Sequence, residues 1–338
     1  MQTKIKKITL ESLQQAKQII VEGGVVAMPT ETVYGLGADA CNDQAVQSIF
    51  AIKGRPNDNP LIAHVHSSYN LHNIIDYDPP YAKQLREAFL PGPLTLVYPS
   101  TNKVSKYVSC GLNTLAVRIP SHAGAQEFLK AVDIPIVAPS ANLSKHVSPT
   151  SAQHVLDDFD GKIPLILDGG KSEGGIESTV LDVTGDVPVI LRPGLITREM
   201  IAEVVGDCKE YVPTLTAGEK VKSPGVLYKH YSPRCKTKLY GANDVQAALQ
   251  YCLKQRTSER VAVLCETSVR SVFEKEQIPV LNLGETAAQM AANLYELLRQ
   301  AETLCTYLIA IEPSQQGGVM TGVLNRLKKA CTSTDIPH

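Results

Sequence analysis

The sequence predicts an α/β protein of two domains, a mixed sheet with helices followed by a smaller, parallel, doubly wound sheet. The 338 residues exceed what a single hydrophobic core usually organises. Short apolar runs punctuated by Pro or Gly fill the first part of the chain, with helical patterns between some of them, which is typical of a mixed sheet. Beyond residue 236, strand and helix patterns alternate regularly, as in a doubly wound sheet.

The first domain is predicted to contain three helices and seven strands. Helical spacing of apolar residues predicts helices at residues 11–22, 43–53 and 123–132, and Gly23 is a natural stop for the first of them. Apolar runs of strand length occur at residues 25–29, 94–99, 114–120, 134–139, 164–168, 179–183 and 187–193.

The second domain follows a stretch rich in Pro, Gly, Lys and Tyr at about residues 205–238. Strands KTKLYG, RVAVLC, PVLNLG and TYLIAIEP alternate with helices, and no GxGxxG follows the first strand to suggest nucleotide binding. The longest helix, within TAAQMAANLYELLRQAETL, is predicted to bury one apolar face. That face consists of Ala287, Met290, Leu294, Leu297, Ala301 and Leu304.

Composition argues against several classes of protein. The formal net charge is -1, so no overall positive field attracts phosphate and RNA binding is not favoured. The eight cysteines stand singly, without the spacing of a zinc site, as is typical of reduced cytosolic thiols. No apolar run reaches the length of a signal peptide or a membrane span, so we expect a cytoplasmic protein.

The stretch PTETVYGLGADA, residues 29–40, places small polar side chains at the carboxyl end of a predicted buried strand. Ligands bind at such strand ends in α/β sheets, so Thr30, Glu31 and Thr32 are candidate ligand contacts. The alternative is a capped turn in which the hydroxyls bond the backbone and the glycines supply conformational freedom. Taken alone, this stretch favours the turn.

Basic side chains follow the second predicted helix in AIKGRPNDNPL, residues 51–61. A helix ending at Lys53, with Gly54 beyond it and Pro56 as a stop, explains part of this pattern. It leaves Arg55, Asn59 and the nearby His64 unexplained, and two cations with an amide could clasp a polyphosphate. The two interpretations are evenly balanced.

Further polar groups lie within or after apolar strands. Arg118 stands in the strand TLAVRIP and needs an anion, either a neighbouring carboxylate or the carboxylate of a bound amino acid. No GxSxG surrounds a serine, so no serine nucleophile is predicted. Additional hydrogen-bonding candidates are Ser140, Asn142, Ser144, Ser148, Ser178 and Arg192. Such a set can catalyse by positioning reactants and stabilising phosphate charge.

Nine motifs in order resemble the long-form threonylcarbamoyl-AMP synthase family: PTETVYGLG, KGRPNDNPL, PGPLTLV, VRIPSH, APSAN, SPTSA, ESTV, LRPG and SPGVLYKHYSP. The matching segments run from about residue 8 to 235, and the remainder is similar in layout to that family's C-terminal domain. Two departures are Lys145, where the family usually has Gly, and Val226, where it usually has Met.

The resemblance implies a YrdC-like catalytic domain with a twisted open mixed sheet at residues 1–205. It also implies a linker at 206–236 that acts as an active-site lid, and a smaller Rossmann-like parallel-sheet C-terminal domain at 237–338. The implied enzyme is a nucleotidyltransferase that condenses L-threonine, bicarbonate and ATP into threonylcarbamoyl-AMP and pyrophosphate, aided by a divalent cation, expected to be Mg²⁺. A downstream tRNA threonylcarbamoyl transferase would use the product, and a weak RNA contact stays open.

The resemblance also assigns roles to residues at matching motif positions. It implies Lys53 and Arg55 as catalytic residues and no protein metal ligand. The implied L-threonine contacts are Thr32, His64, Arg118 and Ser178. The implied ATP contacts are Lys53, Arg55, Asn59, Thr114, Ser140, Asn142, Ser148, Arg192 and Tyr231, the last in the lid motif SPGVLYKHYSP.

Two alternatives belong to other functional classes. One is a carbamoyl-adenylating enzyme that uses carbamoyl phosphate, although the acyl-phosphatase and zinc-binding regions usual in such proteins are not visible in the sequence. The other is a non-catalytic RNA-binding module, which the near-neutral charge and the lack of aromatic-rich RNA motifs weaken.

Overall fold

The structure is a computed structural model that describes residues 2–211 and 231–331. The described residues form two compact units. The first contains residues 2–144 and 149–211, and the second contains residues 145–148 and 231–331. The sequence had suggested one uninterrupted first domain, so the membership of 145–148 in the second unit is new. Val226 and most of the predicted lid lie outside the described residues.

A mixed sheet is the frame of the first unit, as the sequence predicts, but it has eleven strands where seven were predicted. Its strands are β1 (Lys4–Lys7), β2 (Val26–Met28), β3 (Gly35–Asp39), β4 (Ile62–His64), β5 (Leu94–Pro99), β6 (Thr114–Arg118), β7 (Ile136–Val137), β8 (Leu165–Asp168), β9 (Thr179–Asp182), β10 (Val189–Arg192) and β11 (Lys209–Glu210). Across the sheet they lie in the order β1-β8-β2-β3-β7-β4-β6-β5-β9-β10-β11. The chain therefore crosses the sheet repeatedly, and β1 at one edge pairs in parallel with β8.

Helices cover both faces of this sheet. They are α1 (Leu10–Val21), α2 (Asp43–Lys53), α3 (Pro80–Phe89), α4 (Lys106–Ser109), α5 (Ala123–Val132), α6 (Ala152–Phe159) and α7 (Arg198–Val205), with a 3-10 turn at Leu71–Asn73. Apolar residues of α1 and α5 pack against β2, β7 and β8, while those of α2, α3 and α6 form a larger core with other strands. The hydroxyl of Thr9 caps α1, and the amide oxygen of Asn42 caps α2.

The stretch 29–40 forms the expected capped turn at its start, where the hydroxyl of Thr30 donates to the Val33 carbonyl oxygen at 2.6 Å and accepts from the backbone N–H of Val33, but residues 35–39 form strand β3. Three residues of β3 pair antiparallel with β2, with Val26 opposite Gly37. A Cβ atom at Gly37 would lie 2.9 Å from Cγ2 of Ile136 and 3.2 Å from the Val26 carbonyl oxygen. Glycine thus permits a close approach between neighbouring strands here, whereas the sequence suggested conformational freedom.

The second unit contains a parallel four-stranded sheet, which confirms the predicted alternation. Its elements are β12 (Lys236–Tyr240), α8 (Val245–Gln255), β13 (Val261–Cys265), α9 (Thr267–Glu274), β14 (Val280–Asn282), α10 (Ala287–Leu304), β15 (Tyr307–Ile311) and α11 (Val319–Ala330). The strand order is β12-β15-β13-β14, and every pair is parallel. Among the described helices of both units, none has the length and apolar character needed to cross a membrane.

The buried face of α10 differs in part from the predicted apolar face. Met290, Leu294 and Ala301 are buried as expected, but Leu304 is 41% exposed. Tyr295 and Arg299 are buried instead, at 0% and 7% exposure. The pattern of apolar residues could not reveal this, because these two side chains are buried through polar and aromatic contacts of the second unit.

Lys145 has a left-handed backbone, with φ of 71°. A Cβ atom destabilises this conformation by about 1–2 kcal/mol, whereas glycine adopts it freely. Removal of the Cβ atom therefore stabilises the fold, but part of this stabilisation is lost because glycine also increases the entropy of the unfolded chain. We expect Lys145→Gly to raise the free energy of unfolding by about 0.5–1 kcal/mol, measured by urea denaturation.

The matched control is Lys130→Gly, since Lys130 is an exposed residue within the right-handed helix α5. There the same substitution should lower stability by about 1 kcal/mol. Destabilisation of similar size at both positions would show that the backbone of Lys145 is not strained.

Candidate active site

The candidate site is built on three adjacent strands of the first unit. Strands β4 and β6 run parallel with His64 opposite Arg118, and β5 runs antiparallel to β6 with Thr95 opposite Arg118. His64 and Arg118 therefore end their strands at the same edge of the sheet. The loop that follows β2 leaves the sheet at the other edge, where Met28 pairs with Gly35, and the side chains of its Glu31 and Thr32 reach Arg118.

Arg118 is the centre of this group and is 4% exposed. Its Nη1 donates to the hydroxyl of Thr32 at 2.8 Å, and its Nη2 lies 2.7 Å from a carboxylate oxygen of Glu31. Its Nε also donates to the carbonyl oxygen of Gly92 at 3.4 Å. The neighbouring carboxylate that the sequence left open as a partner is thus present, and it is Glu31.

The charge on Arg118 controls both titratable neighbours. Burial would raise the pKa of Glu31, but attraction to Arg118 lowers it below the usual value, so the carboxylate is ionised at neutral pH. Burial and the Arg118 charge together lower the pKa of His64 to about 3, so His64 is neutral. Its Nδ1 lies 3.2 Å from the Ile62 carbonyl oxygen, which can only accept. A proton on Nδ1 satisfies this carbonyl, and in that tautomer Nε2 is a hydrogen-bond acceptor.

Ser178 and Arg192 join the same edge from β9 and β10. The Ser178 hydroxyl lies 2.8 Å from the hydroxyl of Thr95, whose backbone is opposite Arg118. Arg192 donates through Nη2 to the carbonyl and hydroxyl oxygens of Ser178, at 2.9 and 3.1 Å. A residue predicted to contact L-threonine is thus in direct contact with one predicted to contact ATP.

A second group lies at the opposite ends of β4 and β6. Because β4 begins at Ile62 opposite Ala116, the preceding Asn59 and the first residue of β6, Thr114, lie near the same edge. Arg55 reaches this edge too, since its Nη2 donates to the carbonyl oxygen of Asn59 at 3.1 Å. Thr114 and Arg118 are four residues apart in an extended strand, roughly 13 Å.

Lys53 organises the turn that carries Ser140 and Asn142. Its ammonium group, on a side chain that is 2% exposed, donates to the carbonyl oxygens of both residues. Burial and the nearby Arg55 charge lower the pKa of Lys53 well below its usual value, and Asp158 opposes that shift. Asp158 also accepts a hydrogen bond from the backbone N–H of Leu143 at 3.2 Å. The contacts seen for Lys53 are therefore those of a residue that shapes the turn.

Two residues predicted to contact ATP belong to the second unit. Ser148 is fully buried, and Tyr231 is 6% exposed with its ring stacked on Tyr295 at a centroid distance of 5.3 Å. Ser144 remains in the first unit, where its backbone N–H donates to the carbonyl oxygen of Lys53 at 2.8 Å.

Two side chains that complete these groups, Thr95 and Asp158, were not among the residues predicted from the sequence. Thr95 is a buried hydroxyl within the apolar strand β5, a signal of the same kind as Arg118 in β6. Asp158 lies in α6, where an acidic residue gives no sequence signal of its distant partner Leu143. Within residues 2–211 and 231–331, no group of three or more His, Cys, Asp and Glu side chains is placed to hold a metal ion.

The neutral state of buried His64 predicts a pH-dependent stability. The unfolded chain binds a proton on this residue below about pH 6.5, whereas the folded protein does so only near pH 3. Stability is therefore complete above pH 6.5 and falls with decreasing pH, by up to about 1.4 kcal/mol per pH unit. We expect His64→Gln to reduce this slope in urea denaturation between pH 6.5 and 5.

The control variant is His72→Gln, because His72 is exposed and should leave the slope at the wild-type value. Equal slopes for wild type and His64→Gln would show that His64 accepts a proton in the folded protein.

Comparisons with known proteins cover nearly the whole chain. A family model described as "Telomere recombination" matches residues 18–194, and one described as "Threonylcarbamoyl-AMP synthase, C-terminal domain" matches residues 196–332. Threonylcarbamoyl-AMP synthase of Pyrococcus abyssi is 40% identical over 322 residues, which are 93% of this chain and 92% of the relative. The enzyme of the same name from Bacillus subtilis is 39% identical, over 94% of this chain and 92% of the relative.

A solved structure agrees with these sequence relationships. The crystal structure of the P. abyssi protein Sua5 complexed with L-threonine matches with a TM-score of 0.87 and 38% identity. The match covers 97% of this chain and 96% of that chain. Sequence and fold agree along both units, and the chain belongs to the threonylcarbamoyl-AMP synthase family.

Proposed function

We propose that this protein condenses L-threonine, bicarbonate and ATP into threonylcarbamoyl-AMP and pyrophosphate. The observation that carries the proposal is the buried guanidinium of Arg118, which is in contact with Thr32 and Glu31 and lies opposite His64 in the sheet. This arrangement suits a small amino acid with a carboxylate and a hydroxyl. The relative solved with L-threonine, similar over nearly the full chain, supports the same substrate here.

Arg118 is assigned to the carboxylate of L-threonine. A guanidinium has five N–H groups; on Arg118, Nε donates to Gly92 and Nη1 to Thr32, while Nη2 is ion-paired with Glu31 without a hydrogen bond. In our proposal Nη2 and the second N–H of Nη1 bind the carboxylate, and each such charged hydrogen bond contributes roughly 1.5–3 kcal/mol. Before L-threonine binds, Glu31 pairs with the guanidinium and orients it, because a buried charge without a partner would destabilise the fold.

The hydroxyl of L-threonine is assigned to the hydroxyls of Thr32 and Ser178 and to Nε2 of His64. Neutral His64 suits this role, because a protonated imidazole could not accept a hydrogen bond and would repel Arg118. A buried site built to bond a hydroxyl discriminates strongly against an analogue without one, since its polar groups would then lack partners.

ATP is assigned to the group at the opposite ends of β4 and β6 and to three further residues. The first group comprises Arg55, Asn59, Thr114, Ser140 and Asn142, with Lys53 fixing the turn that presents the last two. The further residues are Arg192, Ser148 and Tyr231. Mg²⁺ is assigned to the nucleotide as part of the substrate. The lid proposed for residues 223–233 falls mostly outside the described residues.

The chemistry needs positioning more than reactive side chains. The amine of L-threonine adds to the carbon of bicarbonate or CO₂, giving a carbamate. A carbamate oxygen then attacks the α-phosphorus of ATP, a new P–O bond forms, and the bond to pyrophosphate breaks. No enzyme nucleophile takes part, so the protein contributes alignment, charge stabilisation and exclusion of water from the mixed anhydride.

The setting of the reaction is also part of the proposal. We assign the next step to a tRNA threonylcarbamoyl transferase, because a labile anhydride is suited to rapid transfer. We place the reaction in the cytoplasm. None of the eight cysteines forms a disulfide, which fits a reducing compartment.

The proposed reaction is tested by pyrophosphate release from ATP. We expect release that depends on both L-threonine and bicarbonate, and a turnover with L-2-aminobutyrate lower by at least about a hundredfold. Release that depends on carbamoyl phosphate and not on L-threonine would favour the carbamoyl-adenylating alternative. A folded protein that releases no pyrophosphate under any of these conditions would contradict the proposed synthase reaction.

The ATP assignment is tested by Arg55→Ala and Lys53→Met. Loss of a charged hydrogen bond to phosphate should weaken ATP binding by roughly ten- to a hundredfold in Arg55→Ala. Lys53→Met removes a buried donor to two carbonyls, so it should lower the unfolding midpoint as well as ATP affinity. Binding measured by calorimetry at the wild-type level in folded Arg55→Ala would rule out this contact.

A further inference from the structure

One face of α10 holds two separate segments of the second unit. Tyr295, Arg299 and Glu302 are spaced four and three residues apart, so they project from the same side of the helix. Arg299 donates through Nη2 to the carbonyl oxygen of Val147, and Glu302 accepts from Nε2 of His146 at 2.7 Å. These contacts fix the segment 145–148, although about 150 residues of chain separate it from the helix.

The same face holds the segment 231–234. The ring of Tyr231 stacks on Tyr295, with an interplanar angle of 29°. The carboxylate oxygen of Glu302 that accepts from His146 also accepts from the backbone N–H of Arg234, at 3.2 Å. Glu302 therefore bridges the two segments through a single oxygen atom.

The two segments also bind each other in a constrained conformation. The backbone N–H of Ser232 donates to the carbonyl oxygen of Lys145 at 3.0 Å. Both Lys145 and Tyr231 have positive φ, at 71° and 69°. Non-glycine residues persist in this conformation where the surrounding structure fixes them, and such strain often occurs at functional sites. Contacts with α10 provide that constraint here.

We propose that Arg299 and Glu302 are positioning residues for ATP, acting through Ser148 and Tyr231. The inference rests on the proposed function, in which Ser148 ends the first segment and Tyr231 begins the second. Neither α10 residue is assigned any contact with substrate. The parallel-sheet unit thus contributes to catalysis by fixing two short segments of backbone, a role that its own strands do not suggest.

The test compares Glu302→Ala with Glu302→Gln, since glutamine keeps the accepting oxygen. We expect Glu302→Ala to raise KM for ATP roughly five- to twentyfold, because two hydrogen bonds to the bridging oxygen are lost, while KM for L-threonine stays within about twofold. Glu302→Gln should restore most of the ATP affinity. The matched control is Glu274→Ala, which removes an exposed ion pair with Arg270 in α9 of the same unit.

Hydrogen exchange of the peptide covering residues 145–150 provides a direct measure of position. Faster exchange in Glu302→Ala, with wild-type exchange in Glu302→Gln and Glu274→Ala, is the expected result. Unchanged exchange or an unchanged KM for ATP in Glu302→Ala would overturn the inference. If Glu302→Ala does not fold, Arg299→Lys, which keeps the charge but shortens the reach to Val147, gives the same comparison.

A separate variant distinguishes failure of the inference from failure of the proposed function. Ser148→Ala should itself raise KM for ATP, because Ser148 is assigned to the nucleotide. A wild-type KM for ATP in Ser148→Ala would refute the ATP assignment and with it the inference. A raised KM for ATP in Ser148→Ala together with a wild-type KM for ATP in Glu302→Ala would refute the inference and leave the ATP assignment intact.

Discussion

The arrangement of the first unit depends on a guanidinium that is almost completely removed from water. A buried charge is tolerated where it is paired and hydrogen-bonded, and loss of one partner of such a pair typically costs about 3–5 kcal/mol. Arg118 meets this requirement through Glu31 and Thr32, both delivered by the connection between β2 and β3. The close approach at Gly37 keeps β3 in the position at which that connection ends. The polar contacts of Arg118 therefore depend on the close packing of β3 against its neighbouring strands.

The two proposed substrates are assigned to opposite ends of the same strands, so the reaction requires a path between them. Strand β6 spans roughly 13 Å from Thr114 to Arg118. Arg192 offers a link, because it bonds to Ser178 at the Arg118 end while being assigned to the nucleotide. In the proposed reaction, the Arg192 guanidinium would lie between the phosphates of ATP and the carbamate. A positive charge at that position would stabilise the negative charge on the transferred phosphoryl group.

Much of the fold could be predicted from the sequence because many elements have strong local patterns. The predicted bounds of β5 and α5 agree with the structure residue for residue, and every element of the second unit was expected. Strand β3 was missed because GLGAD has weak strand propensity and its pairing is set by neighbouring strands. The membership of 145–148 in the second unit depends on contacts with residues far along the chain, which local patterns do not encode.

The candidate site was predictable in its residue types more than in its arrangement. Polar side chains in apolar strands pointed to Arg118, and the same logic would have found Thr95. The pairing of Arg118 with Glu31 was left open, because a single sequence does not tell an internal carboxylate from that of a ligand. The contacts of Lys53 with two carbonyl oxygens could not be predicted either, because every residue has a backbone carbonyl and the residue type does not show which one accepts.

The pairing of β1 with β8 at the sheet edge affects how the protein is made. Lys4 pairs with Leu165, so the first strand has no partner until some 160 further residues have left the ribosome. At typical rates of synthesis this takes roughly ten to thirty seconds. During that time Lys4, Lys6 and Lys7 keep a nascent strand charged and soluble, as lysines do on exposed strand edges. Completion of the sheet is thus a late event in translation, and contacts this distant in sequence favour slow folding.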